Sequence, residues 1–182
     1  MDLLQKIVAR AKSDKQRIVL PEATEERTLK AADRVLADDI ADIILIGNPE
    51  EIKKLGAEWG LTHLDKATII DPEDHPKKEE YAQLLCELRK KKGMTIEEAR
   101  KLVVDPLYLG CLIIKNGDAD GMVSGACHST ANTLRPCLQV IKTKPGTKLV
   151  SAFFLMEVPD CDLGDNGTFV FADCGLNQNP TP

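Results

Sequence analysis

Ala41-Asp42-Ile43-Ile44-Leu45-Ile46-Gly47-Asn48-Pro49 decides the fold. An unbroken apolar run, mostly β-branched, stands between an acidic start and a Gly-Asn-Pro turn. A strand with one wet face would alternate apolar and polar residues. A continuous run means both faces are covered, the habit of a parallel sheet sandwiched between helices. The flanking sequence agrees. Upstream, Leu29, Ala32, Val35 and Leu36 recur at helical spacing, and Thr24-Glu25-Glu26-Arg27 offers a helix start with an acidic first turn. Arg17-Ile18-Val19-Leu20, closed by Pro21, predicts a second strand, and Leu3, Leu4, Ile7, Val8 and Ala11 predict a helix over 2–13. Downstream, a helix over 49–59 and a strand over 67–70 follow.

The alternation continues to the middle of the chain. His75-Pro76 opens a helix reaching about Lys92, closed by Gly93. Thr95-Ile96-Glu97-Glu98 has the capping-box pattern and opens a helix over 95–104. Pro106 starts another that runs to Asn116-Gly117. Residues 120–125 predict a strand with a glycine exit, and 130–139 a helix that Pro136 kinks or breaks. Two strands over 149–158 and 167–172, joined by the Asp- and Gly-rich segment 159–166, predict a wide hairpin. The expected fold class is α/β, a doubly wound parallel sheet with flanking helices over residues 1–145 and the start of a second α/β lobe over 146–182. The chain ends on Asn177-Gln178-Asn179-Pro180-Thr181-Pro182, where another helix is expected to begin.

Composition excludes several classes. With 24 Lys+Arg against 29 Asp+Glu, the net charge is -5, which argues against a broad basic face for nucleic acid but permits a local phosphate site. No basic segment followed by an apolar run opens the chain, and no apolar stretch approaches the roughly 18 residues of a membrane span. A cytoplasmic protein without nucleic-acid or membrane partners is expected. The 6 cysteines, at 86, 111, 127, 137, 161 and 174, form no CxxC pair, so they read as free thiols and no metal site is expected. Neither GxGxxG nor the Walker phosphate-loop pattern occurs.

The segment from Val123 to Pro136 is the richest in chemistry. It leaves a strand at its carboxyl end, passes Ser124 and Gly125, and enters a helix through Ser129 and Thr130. Ligands of open α/β sheets bind outside the carboxyl ends of the strands, and a helix start offers free N–H groups to an anion. Thr133 adds a hydroxyl, and Arg135 adds a charge able to hold a phosphate bidentately. Two readings stand here: an anion site, or a capped helix whose Arg135 pairs with a surface carboxylate. Arg89-Lys90-Lys91-Lys92 likewise either complements a helix dipole or lends Arg89 to the same polyphosphate ligand as Arg135. Cys127-His128 suggests a thiolate–imidazole nucleophile, but with no third orienting group in view it reads better as a thiol beside a structural histidine. His63 and His75 read as surface or capping residues. Asp160, Asp162 and Asp165 fit a hairpin turn better than a calcium loop. Arg27, beside two glutamates, reads as a surface residue of its helix.

Together these segments resemble the phosphate acetyltransferase (phosphotransacetylase) family, with phosphate butyryltransferases as its longer-chain branch. The likeness rests on Ile18-Val19-Leu20-Pro21-Glu22, residues 41–48, Leu88 to Thr95, residues 120–136, Lys142-Thr143-Lys144-Pro145-Gly146, Ser151 to Phe154, Val158-Pro159-Asp160 and Phe169 to Asp173. The resemblance implies a fold like that of isocitrate and isopropylmalate dehydrogenases, with the site in a cleft between two lobes. It implies interconversion of acetyl-CoA and phosphate with acetyl phosphate and CoA, by direct attack of the CoA thiolate on the acyl phosphate. It implies coenzyme A as a substrate, no metal or redox cofactor, and a homodimer for the full-length form. Arg89 and Arg135 are similar to the family's CoA-interacting arginines. Ser129, Thr130 and Thr133 match its phosphate or acyl-phosphate wall, and Ser124 and Gly125 its strand exit. Asn132 stands where the family has Asp, and Cys137 where it has a small apolar residue. The likeness ends near the family's midpoint, so the catalytic groups are expected outside this chain, which reads as an N-terminal portion inactive on its own. A butyryltransferase and a non-catalytic CoA- or phosphate-binding module are the alternatives.

Overall fold

A computed structural model describes residues 3–173, 175 and 176; Cys174 and the expected helix start at 177–182 lie outside them. The chain divides into two compact units, of which the larger is Leu4–Lys142 and the smaller is built mainly from residues after Thr143.

The larger unit begins with helix α1 (Leu3–Ser13) and then alternates: β1 (Arg17–Leu20), α2 (Glu26–Ala37), β2 (Asp42–Ile46), α3 (Pro49–Glu58) and β3 (Thr68–Ile70). Helices α4 (Lys78–Arg89), α5 (Ile96–Leu102) and α6 (Pro106–Lys115) follow, then β4 (Gly121–Met122) and α7 (Thr130–Pro136). The four strands form one sheet in the order β3-β2-β1-β4, and every pairing is parallel. Ile43 and Leu45 of β2 join Leu20 in a core with Leu29, Ala32 and Leu36 of α2 and Ile52 of α3. Ile44 and Ile46 join Val19 in a second core with Tyr81 and Leu85 of α4 and Leu109, Leu112 and Ile113 of α6. The apolar run at 43–46 thus has both faces covered, as its lack of alternation requires. Helix α6 lies close on the sheet at Gly110, where a Cβ would stand 2.7 Å from the Met122 sulfur.

Helix ends follow their local chemistry. Asn48 caps α3, Asp105 caps α6, and Thr95 with Glu98 closes a capping box on α5. At α2 the cap is Glu25, whose carboxylate accepts the Thr28 N–H, and Thr24 lies outside the helix. Helix α4 begins at Lys78, after His75 has stacked on Tyr81 with ring centroids 5.5 Å apart. Strand β4 is shorter than its sequence suggests. Its ladder to β1 closes with the Val123 N–H on the Val19 carbonyl, and Ser124 and Gly125 turn away. Pro136 ends α7, and a single π turn, Cys137–Ile141, carries the chain onward.

In the smaller unit β5 (Phe153–Glu157) and β6 (Thr168–Ala172) pair antiparallel, Phe153 opposite Ala172 and Glu157 opposite Thr168. Residues 149–152 precede the ladder because β6 ends opposite Phe153. Asn166 and Gly167, both at positive φ, turn the chain back. The aspartates at 160, 162 and 165 belong to that turn and gather into no ligand cluster among the described residues.

Candidate functional site

Strands β1 and β4 point their carboxyl ends at the same edge of the sheet, so the segments that leave them, Pro21-Glu22-Ala23 and Val123 to Ser129, meet there. Glu22 is 5% exposed. Its Oε2 accepts the N–H groups of Gly125 and Ala126, each at 2.8 Å, and its Oε1 accepts the Cys127 N–H at 3.0 Å. The His128 imidazole completes the ring, with Nδ1 2.6 Å from Oε1. Burial alone would push this carboxyl up, but the donors from Cys127, His128, Ala126 and Gly125 outweigh it and hold the group far below the usual carboxylate range. The N–H groups of Gly125, Ala126 and Cys127 thus form a nest for an internal anion, ahead of the helix start at Ser129 and Thr130. Gly125 makes it possible, at a φ of +113° that a side chain disfavours.

Arg27 belongs to this assembly. Its Nη2 donates to the Ala126 carbonyl at 2.8 Å while its Nε donates to Glu25 at 2.6 Å. Sequence reading missed both Glu22 and Arg27, whose partners lie about a hundred residues away along the chain. The signal available was a lone acidic residue directly after a strand-ending proline.

Cys127 and His128 do have a third partner, contrary to the sequence reading, yet the three cannot act as a nucleophilic triad. The Cys127 sulfur lies 3.6 Å from Nδ1, the same nitrogen that faces Glu22. A relay requires the nucleophile and the carboxylate on opposite ring nitrogens. The thiol also donates to Glu22 at 3.4 Å, and burial and that carboxylate together raise its pKa instead of activating it.

The other expected ligand residues are placed as follows. Ser129 caps α7, its Oγ accepting the Asn132 N–H at 3.3 Å, and Thr130 opens the helix on an exposed face. Arg89, at the end of α4, and Arg135, on α7, both act on the hydroxyl of Tyr108 in α6. Burial raises that phenol's pKa, Asp105 adds to the rise, and the two guanidiniums partly oppose it. Tyr108 donates to Gln139 at 2.9 Å. Three buried polar atoms have no hydrogen-bond partner among the described residues: Arg89 Nε, Ser124 Oγ and Thr133 Oγ1. Each such atom normally costs about 1–3 kcal/mol when left unpaired. The residues do not share one cavity. Ser124 lines a pocket of about 240 Å³ with Glu22, Arg27 and Thr28, whereas Arg89 lines one of about 450 Å³ with Lys92, Glu98 and Lys101. A further cavity of about 430 Å³, at the opposite ends of the strands, has Arg17 and Lys77 ion-paired with Asp120 and Asp118. His63 lies beside Asp33 at 3.5 Å, in the surface role expected of it.

A four-stranded parallel sheet with helices covering both faces, and loops meeting at the carboxyl ends of β1 and β4, defines a protein of the open α/β class. The chain belongs to the phosphate acetyl/butaryl transferase family, whose model matches residues 2–182. It is 56% identical over 180 residues to a phosphate acetyltransferase of Acetivibrio thermocellus, covering 99% of this chain and 53% of that protein. It is 51% identical over 181 residues to the phosphate acetyltransferase of Clostridium acetobutylicum, covering 100% of this chain and 54% of that one. A solved phosphotransacetylase from Streptococcus pyogenes superposes with a TM-score of 0.90 at 38% identity, over 100% of this chain and 54% of that structure. The chain spans about half the length of the curated relatives it matches.

Proposed function

We propose that this chain supplies the CoA- and phosphate-binding part of a phosphate acetyltransferase. The reaction interconverts acetyl-CoA plus phosphate with acetyl phosphate plus CoA. Arg89 and Arg135 hold the phosphates of CoA, bidentate geometry favouring arginine there. Ser129, Thr130 and Thr133 line the phosphate or acyl-phosphate position, and Ser124 and Gly125 shape the turn that carries them. The CoA sulfur attacks the acetyl carbonyl directly, phosphate leaves, and a base takes the thiol proton. That base and the oxyanion donors are assigned to none of these residues, so the chain alone binds CoA without turning it over. The longer form acts in the cytoplasm as a homodimer, with small-molecule partners only and no metal or redox cofactor in the acyl transfer.

The observation that carries this reading is the trio of buried, unpartnered polar atoms on Arg89, Ser124 and Thr133. Phosphate and carbonyl oxygens are the acceptors such donors lack, at the pocket beside Ser124 and at the separate one beside Arg89. Calorimetric titration of the chain with CoA, alongside thioester absorbance with acetyl phosphate added, tests it. Saturable CoA binding without thioester formation is expected. Failure to bind CoA in a well-folded sample contradicts it.

A further inference from the structure

We propose that Glu22, Cys127 and His128 form a binding site for a divalent ion of the zinc type, through Glu22 Oε1, Cys127 Sγ and His128 Nδ1. These are the chemical types that zinc selects, a carboxylate, a thiolate and an imidazole. Their ligand atoms lie within 4.8 Å of one another. The separations are 3.6 Å between Sγ and Nδ1, 3.4 Å between Sγ and Oε1, and 2.6 Å between Nδ1 and Oε1. A tetrahedral zinc with bonds of about 2.0–2.3 Å sets sulfur about 3.5 Å from nitrogen or oxygen, and nitrogen about 3.3 Å from oxygen. Two edges of the ligand triangle therefore stand at their bound lengths already. The third opens by about 0.7 Å, as the shared hydrogen gives way to the metal.

The outer shell is built as well. Glu22 Oε2 stays on the Gly125 and Ala126 N–H groups, and Oε1 keeps the Cys127 N–H, so the carboxylate is oriented before any ion arrives. Cys127 and His128 are exposed, which gives the ion a path in and leaves its fourth position to water. On binding, the thiol proton leaves to solvent and the imidazole proton moves from Nδ1 to Nε2. Thiolate and carboxylate then neutralise the dication. Metal-ligand spacing is absent from the sequence because the third ligand comes from the end of another strand, 105 residues from Cys127. The site lies outside the acyl-transfer reading and does not depend on it.

The test uses the full chain, stripped with a chelator and titrated with Zn²⁺ against a chromophoric competitor, and separately with Co²⁺. One metal per chain is expected, with the thiolate charge-transfer band and strong visible bands of a four-coordinate cobalt site. Cys127→Ala abolishes the charge-transfer band. Cys127→Ala and His128→Gln each weaken Zn²⁺ binding by roughly a hundredfold or more, at or beyond the 10–100-fold that loss of an outer-shell partner costs. Both variants leave the three backbone donors on Glu22, so the loop is retained. A measurement on the unaltered chain accompanies them: Zn²⁺ slows alkylation of Cys127 and leaves Cys161 unaffected. No saturable Zn²⁺ binding, unchanged affinity in Cys127→Ala, a cobalt spectrum without the thiolate band, or unprotected Cys127 would each overturn the site.

Discussion

The Glu22 carboxylate and the His128 imidazole, 106 residues apart in the chain, meet at 2.6 Å. That contact joins the exit of β1 to the exit of β4, and with the three backbone donors it fixes the loop that delivers Ser129, Thr133 and Arg135. Glu22→Gln keeps the shape but replaces one oxygen with an NH₂ that faces N–H donors. A destabilisation of roughly 2–3 kcal/mol is expected from the lost charge-assisted bonds. Denaturant midpoints of Glu22→Gln and Glu50→Gln measure it. Glu50 is an exposed partner of Lys53, and its loss is expected to cost under about 1 kcal/mol.

Two glycines are required for different reasons. Gly125 sits at φ +113° with open space around a would-be Cβ, so Gly125→Ala is penalised by backbone strain alone, by about 1–3 kcal/mol. Gly110 has an ordinary helical backbone, but its Cβ would press on Met122, so Gly110→Ala is penalised by overpacking of similar size. Met122→Ala in the same chain therefore relieves Gly110→Ala and leaves Gly125→Ala unrelieved. A double-mutant cycle on thermal midpoints separates the two.

Acid stability follows from three carboxylates. Glu22 is held far below its ordinary pKa, and Asp118 and Asp120 are each held at about 2, Asp118 by Asn116 and Lys77 and Asp120 by Arg17. A carboxyl depressed on folding stabilises fully above its unfolded pKa, and that contribution is lost as pH falls toward the folded value. Stability is expected to hold from neutrality to near the unfolded carboxyl values of about 4 and to decline steadily between there and pH about 2. Denaturation midpoints across that range give the slope, and Asp118→Asn flattens it.

Cys111 and Cys137 form a thiol pair. The Cys137 sulfur lies 3.6 Å from that of Cys111, whose donated hydrogen bond holds Cys137 down at about 7 while Cys111 is raised. Alkylation of Cys137 is expected to set in at lower pH than that of Cys111. Cys111→Ala removes the donor and moves the onset for Cys137 upward. An unmoved onset contradicts the pairing.

Much of the fold is legible in the sequence where local chemistry suffices. The apolar run at 43–46, the Asn48-Pro49 and Asp105-Pro106 helix starts and the Thr95–Glu98 box each dictate their own element. Arg89 and Arg135 are legible as charges, but their influence on the Tyr108 hydroxyl is not, because it depends on how α6 packs. The length of β4 is not legible: Val123 and Ser124 have strand-like sequence, but the ladder they would join ends where Pro21 has no N–H to give. Glu22 is the largest omission, since a buried carboxylate is defined by partners that no local window contains. Arg27, read as a surface residue, is tied to the loop for the same reason.

In the proposed function Arg89 and Arg135 hold the phosphates of one CoA molecule. Calorimetric titration of CoA into the chain and into Arg89→Ala, Arg135→Ala and Arg34→Ala tests it most directly. Arg34 is an exposed arginine of α2 whose pairing with Asp38 is 3.9 Å long, and it serves as the control. Each of the first two substitutions is expected to weaken binding by roughly ten- to a hundredfold, about 1.5–3 kcal/mol for a charge-assisted contact, while Arg34→Ala changes nothing measurable. Equal affinity across all four proteins would contradict the account.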